Sequence, residues 1–277
     1  MEQLNVFGGK GFVGSRFVDL TPDCIINERN DYQVKSKNIL YFISTIDNYN
    51  VFTDPYVDID TNLTTLVRVL SSIKEEDRPF TTFNFISSWF VYGDTDWPAR
   101  ETSPCNPKGF YSITKRAAEQ LLISYCQTFG IQYRILRLAN VAGSTDPKAS
   151  KKKNAIVHMI KELKGNRPIK LYDHGNVYRD IIDLDDCVSA INLVLQRGNL
   201  NDVYNVGNGK PVLLGEFMNR AKKLLDSTSE IGYMDTPDFH KFVQVKSMYM
   251  NNDKLKELGY TPRYSLEEII WRIANGS

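Results

Sequence analysis

The chain has 277 residues, 42% hydrophobic and 24% charged, with a formal net charge of +1. That length makes one large domain or two modest ones with a sizeable core, and the near-neutral balance leaves no bulk field to attract nucleic acid or a membrane surface. Four scattered cysteines and three histidines give no metal-ligand pattern, no apolar run reaches spanning length, and the N-terminus lacks a leader pattern, so a cytoplasmic protein with reduced thiols and no membrane partner is expected.

Along the chain, β-branched or aromatic runs alternate with helical patterns. "LNVF" (4–7) reads as a strand leading into a short helix over "GFVGSRFVDL". "CIIN" (24–27) and "NILYFIS" (38–44) read as strands. "DTNLTTLVRVLSSI" (60–73) carries apolar Leu63, Leu66, Val67 and Leu70 at helical spacing. "TTFNFIS" (81–87) is a strand, 109–130 a long helix ending at a glycine, and "YRILRLA" (133–139) a strand. This alternation predicts an α/β fold, a Rossmann-type doubly wound parallel sheet with helices on both faces. From about Val141 the texture changes. A polar loop over 143–154 precedes a helix (155–164), a strand (169–172), a strand turning into a helix (179–196) and "VYNVGNG" (203–209). The tail opens with a capping box, Ser265 three residues before Glu268. The expected division is a dinucleotide-binding domain over 1–140, its sheet completed by about 179–206, and a smaller α/β lobe over 141–277.

"NVFGGKGFVGS" places Gly8, Gly11 and Gly14 between that first strand and helix. Such a turn lets backbone approach a pyrophosphate while the helix N-terminus, here Phe12 and Val13, supplies N–H groups and positive dipole. Gly8 would make the turn, Gly11 the close approach and Gly14 the helix–strand packing; a tight turn without ligand is the alternative. After the second strand, Asn27 or Glu28 would bind ribose hydroxyls, which suits NAD, whereas Arg29 would meet a 2′-phosphate, which suits NADP.

"YSITK" sets Tyr111 and Lys115 four apart, on one helix face. A nearby ammonium stabilises a phenolate and draws the tyrosine pKa toward the working range. The same lysine can hold the nicotinamide ribose. Ser87 and Ser88 close a strand where open α/β sheets bind ligands, and a hydroxyl there completes a site that moves a proton at an alcohol while hydride leaves its carbon.

With these stretches, "SSWFVYG" (87–93), "LRLANVAG" (136–143), "YRDIIDLDDCVSAI" (178–191), "YNVGNGKPV" (204–212) and "NNDKLKELGYTPRYSLEEII" (251–270), the chain resembles the extended short-chain dehydrogenases/reductases of the nucleotide-sugar epimerase/dehydratase family. The resemblance implies Tyr111 as acid/base, Lys115 as its partner and Ser88 on the sugar oxygen. It also implies Ser44 and Asn62 beside the cofactor, Asn140 near substrate, Asn154 and Arg179 on the nucleotide diphosphate, and Tyr172 against the base. Plain alternatives are a turn cap for Asn140, an Asp180 or Asp183 ion pair for Arg179, and a core place for Tyr172. It implies a nucleotide-diphosphate-sugar substrate, a homodimer through helices 60–73 and 111–129, and polysaccharide biosynthesis as the usual setting.

Departures from the family pattern narrow the chemistry. Trp89 and Phe90 stand where family dehydratases carry an Asp-Glu pair, and Phe90 where decarboxylases carry glutamate and 3,5-epimerising members cysteine. What remains is chemistry at one carbinol: an NAD-dependent 4-epimerase or, alternatively, an NADPH-dependent 4-keto-sugar reductase, with a non-catalytic NAD(P)-binding protein as a third reading. About ten residues between the second strand and "NILYFIS" leave no room for the usual helix and strand there, so a trimmed sheet edge is expected. Near the C-terminus Lys246 or Tyr249 would substitute for absent nucleotide-binding residues.

Overall fold

The computed structural model describes residues 3–143, 153–243 and 245–276; the polar loop expected over 143–154 lies almost wholly outside them. In chain order the elements are β1 (Leu4–Phe7), α1 (Phe12–Leu20), β2 (Cys24–Ile26), β3 (Asn38–Tyr41), α2 (Tyr56–Ile59), α3 (Thr65–Ser71), β4 (Thr82–Ser88), α4 (Phe110–Phe129), β5 (Gln132–Leu138) and β6 (Asn140–Ala142). There follow α5 (Ala155–Lys164), β7 (Ile169–Tyr172), β8 (Tyr178–Arg179), β9 (Ile181–Asp183), α6 (Leu184–Arg197), β10 (Asp202–Val206), β11 (Val212–Leu213), α7 (Leu214–Leu224), β12 (Ile231–Met234), α8 (Asp238–Val243), α9 (Asp253–Glu257) and α10 (Leu266–Asn275).

Six strands form one parallel sheet in the order β10-β5-β4-β3-β1-β2. Its strands read as continuous apolar runs because both faces are covered. Successive residues alternate between the two sides. Val6, Leu40, Ile86 and Leu136 pack with Phe17 of α1 and Val188, Ile191 and Val194 of α6. Phe7, Ile39, Phe85 and Ile135 pack on the opposite side with Leu66 and Leu70 of α3 and Ala118 and Leu122 of α4. The doubly wound sheet is therefore as the alternation predicts. A third core joins α5, α7 and α10 around Ile160, Phe217 and Ile270. The box at the start of α10 forms in full, Glu268 N donating to Ser265 Oγ and Ser265 N to Glu268 Oε2.

The trimmed edge is real and has a specific substitute for the missing crossover. β2 is a three-residue edge strand, and 27–37 returns to β3 without a helix. Buried Asn5 organises that return: Nδ2 donates to Ile25 O and Asn27 Oδ1, and Oδ1 accepts from Lys35 N at 2.8 Å. Asn27 then donates to Asp31 O and Gln33 O at 3.1 and 2.8 Å. Two asparagine amides thus satisfy backbone groups that a helix would have satisfied internally. Strand order reverses between β1 and β3, which places the ligand crevice beyond their C-terminal ends.

The helix expected over 60–73 starts earlier and is not uniform. It begins at Tyr56, widens into a π-turn at Asp60–Thr64, and resumes as α3. The π-turn centres on buried Asn62.

Candidate active site

β1 ends at a turn built for close backbone approach. Gly8 has φ +79°, a conformation that favours glycine. A Cβ on Gly14 would sit 2.3 Å from Gly8 O, so α1 packs against the turn only because residue 14 is glycine. Gly11, whose N donates to Gly8 O at 3.0 Å, caps α1 without a side-chain bond. The first-turn N–H groups, those of Phe12 and Val13 among them, therefore face the crevice end as donors for an anion. This cradle fits a dinucleotide pyrophosphate.

Beyond β2 the expected ribose ligands part ways. Asn27, expected on the ribose, gives both its N–H groups to the 27–37 return while its oxygen accepts from Asn5. Glu28 pairs with Lys10 of the glycine turn at 2.5 Å, both about 69% exposed, and Arg29 is exposed. Lys10, Glu28 and Arg29 thus stand at the exposed rim beyond β1 and β2. Lys10 was legible as part of the glycine stretch, but nothing in its spacing marked it.

At the nicotinamide end, β4 and α4 converge. Ser88 ends β4, and its hydroxyl accepts from Phe90 N. Tyr111 lies in the first turn of α4, fixed by Ser112 Oγ, which accepts from Gly109 N and donates to Gly109 O. Burial pushes the Tyr111 hydroxyl above its ordinary pKa; hydrogen bonds with Ser88 and Ser44 oppose this, and the charge of Asp58 adds to it. Ser88 and Ser44 are thus the hydroxyls that bear on Tyr111, whereas the ammonium expected to draw its pKa down turns to the sheet.

Lys115 is 2% exposed, and its Nζ donates to Ile86 O at 2.7 Å and lies 4.1 Å from the Phe85 ring centroid. Burial brings its pKa down to about 7, with Glu119, one turn further along α4, opposing. Glu119 is fully buried and accepts from Arg137 Nε and Nη2 at 3.0 and 2.8 Å and from Arg116 Nη1 at 2.7 Å. Burial raises its pKa, yet these guanidinium bonds carry the net below the ordinary carboxylate value. Glu119 and Arg137 were not among the expected site residues; a glutamate four beyond the lysine, facing a buried strand arginine, was their only sequence signal.

Asn62 is consumed within the protein. Nδ2 donates to Thr45 Oγ1 and Thr114 Oγ1, both at 2.9 Å, and Oδ1 accepts from Ser44 Oγ and Thr45 N at 3.1 and 3.0 Å. Its amide thereby ties Ser44 and Thr45 to Thr114 of α4. Aromatic rings stand against Tyr111. Phe90 meets Tyr111 edge to face at 5.9 Å, and Trp89 lies 4.0 Å from Phe90. No carboxylate occupies those two positions.

The remaining expected residues surround this wall. Arg179 donates to Tyr178 O and Lys246 O, both at 2.7 Å, and lies 5.5 Å from Trp89; burial lowers its pKa to about 10. It pairs with neither Asp180 nor Asp183: Asp180 accepts N–H groups of Asn208, Gly209 and Met250, and Asp183 accepts from Arg272. Asn140 is half-buried and donates to Asp180 O. Asn154 caps α5 with φ 52° and donates to Val141 O. Tyr172 is half-buried with its ring 5.1 Å from that of His240. Lys246 reaches Asp173 at 2.9 Å.

Comparison with known proteins bears on this geometry. The chain is 27% identical to a putative UDP-glucose 4-epimerase of Methanocaldococcus jannaschii, over 98% of this chain and 96% of that one. Its fold matches the UDP-glucose 4-epimerase of Thermotoga maritima, in a structure with UDP-glucose, at a TM-score of 0.85, with 20% identity and 98% and 97% of the two chains covered. It matches equally RMD of Pseudomonas aeruginosa, in a complex with NADPH, at 0.85 and 22% identity, with 99% and 98% covered. The model of the NAD dependent epimerase/dehydratase family matches residues 33–207. The chain belongs to that family, as an NAD(P)-dependent nucleotide-sugar enzyme.

Proposed function

We propose that the protein is an NAD-dependent nucleotide-sugar 4-epimerase. The observation that carries the reading is the aromatic wall beside Tyr111: Phe90 meets its ring edge to face with Trp89 next to it, and neither offers an acid or a base. Elimination of water and epimerisation next to a ketone each need a second proton-transferring group; a single carbinol oxidation and its reversal need only one.

In this reading Ser88 holds the C4 oxygen and Tyr111 exchanges the proton on it. Lys115, whose pKa burial brings down to about 7, supports this end of α4 through its bond to Ile86 O. Arg179, Asn154 and Lys246 hold the diphosphate, the fork of Arg179 suiting paired phosphate oxygens once it turns from its carbonyls. When bound, the dinucleotide supplies the hydride acceptor and donor. A sugar that turns its other face before the proton returns emerges inverted. The lobe over 141–277 carries the nucleotide sugar.

The alternative is NADPH-dependent reduction of a 4-keto sugar, in which Tyr111, whose pKa burial raises, would give its proton to the ketone. A homodimer is also part of the proposal. Ile59, Val67, Phe110, Ile113 and Leu121 of α2, α3 and α4 are each 38–47% exposed, an apolar surface that a second copy would cover.

The deciding measurement is the nucleotide released when the purified protein is denatured, identified by mass. Stoichiometric NAD supports the epimerase; a protein that arrives empty and prefers NADPH supports the reductase. Tyr111→Phe should lower turnover by roughly 10²–10⁴-fold with cofactor binding retained. Full activity in that variant overturns both readings.

A further inference from the structure

Phe90 is tied to both residues that the proposed reaction places on the sugar oxygen. Its N donates to Ser88 Oγ at 3.3 Å, and its ring meets that of Tyr111 edge to face at 5.9 Å. It stands in the short 3-10 turn Trp89–Tyr92 that follows β4. That turn is pinned from its far end. Gly93 has φ +59°, a Cβ there would lie 1.6 Å from Asn106 O, and Asn106 N donates to Tyr92 O at 2.8 Å. Trp89 is 4% exposed and lies 4.0 Å from Phe90, so the half-buried Phe90 ring is the more open part of this wall.

The wall has little to give a hydroxyl. A phenyl ring carries no donor or acceptor. The peptide groups of Phe90 are engaged, N with Ser88 Oγ and O accepting from Gly93 N at 3.3 Å. Tyr92 Oη donates to Asn205 Oδ1 at 2.6 Å. The guanidinium of Arg179, 5.5 Å from the Trp89 ring, donates to Tyr178 O and Lys246 O. A polar group pressed against Phe90 therefore loses water without gaining a partner, which weakens binding.

Pyranose chemistry decides which part of the sugar suits the ring. The two neighbours of C4 differ: C3 bears a hydroxyl directly, whereas C5 bears a carbon, C6. An apolar ring beside the C4 contacts matches the C5–C6 side. There a hexose brings a C6 hydroxyl and a 6-deoxy sugar a methyl group. The hydroxyl meets the penalty just described; the methyl buries apolar area on the ring.

We propose that Phe90 is a specificity-determining residue that selects a 6-deoxy sugar nucleotide, its C6 methyl packed on the ring, over the corresponding hexose. The proposal rests on the reading that Ser88 and Tyr111 meet the C4 oxygen. An apolar surface rejects an added hydroxyl only moderately, so the preference is about 10–100-fold rather than absolute.

The test is calorimetric titration of the protein, loaded with oxidised dinucleotide, with UDP-6-deoxyglucose and with UDP-glucose. Both carry the same nucleotide, so the ratio of their dissociation constants does not depend on which base the protein prefers. Wild type should bind the 6-deoxy sugar about 10–100-fold more tightly. Phe90→Ser removes the ring and supplies a hydroxyl, and should bring the ratio toward one. Phe90→Leu keeps an apolar surface and should keep most of the preference. Phe90→Gln, polar and closer to the ring in size, carries the same expectation as Phe90→Ser if that variant does not fold. A wild-type ratio near one, or a preference unchanged in the polar variant, overturns the proposal and leaves the parent reading standing. If neither sugar binds, the nucleotide-sugar reading itself falls, and this proposal with it.

Discussion

Replacing Lys115 by methionine should make the protein more stable in mild acid and less stable in alkali. The ammonium is 2% exposed, and burial takes its pKa from 10.5 to about 7. The unfolded chain therefore holds this proton more tightly than the folded one. The penalty is present in full below pH 7 and is relieved as pH rises from 7 to 10.5. At 1.36 kcal/mol per unit, that difference sets a ceiling of about 5 kcal/mol. Methionine keeps the apolar stem against Phe85 but leaves Ile86 O without a donor, a loss of about 1–3 kcal/mol. The variant should thus gain roughly 2–4 kcal/mol at pH 6 and lose about 1–3 kcal/mol near pH 10.5. Urea denaturation of both proteins at the two pH values measures this directly, and turnover should be lost throughout. If the variant is less stable than wild type by the same margin at both pH values, Lys115 is not a strained cation and the reasoning fails.

Glu119→Gln leaves Arg137 buried without its counter-charge and should cost about 3–5 kcal/mol in denaturant titration, part of it recovered by adding Arg137→Met. Gly14→Ala drives a Cβ into Gly8 O, displacing the phosphate turn; dinucleotide affinity followed by fluorescence should fall about tenfold or more while the circular dichroism spectrum is kept.

The difference between what was legible and what was not lies in the range of the forces involved. Alternating apolar runs and glycine spacing are local, so the doubly wound sheet, the phosphate turn and the Tyr111–Lys115 face could be read directly. Even the trimmed edge showed as a missing length of chain between β2 and β3. What fills that gap did not show. Asn5 and Asn27 are 22 residues apart, and only strand pairing brings their amides together and spends Asn27 on the fold. Tyr111 and Lys115 are read as a pair from spacing, but whether the ammonium faces the phenol or the sheet depends on β4 lying beneath α4. Thr45, the Asp58–Asn62 helical turn and Thr114 come from three separate stretches, each residue an ordinary polar one in its own context. Their meaning arises from burial, which removes water as an alternative partner and obliges each donor to choose one acceptor. Chain-local pattern determined the scaffold and set Tyr111 and Lys115 on one helix; tertiary packing alone decided which partners their side chains meet, because hydrogen-bond partners and desolvation exist only once distant segments close over one another.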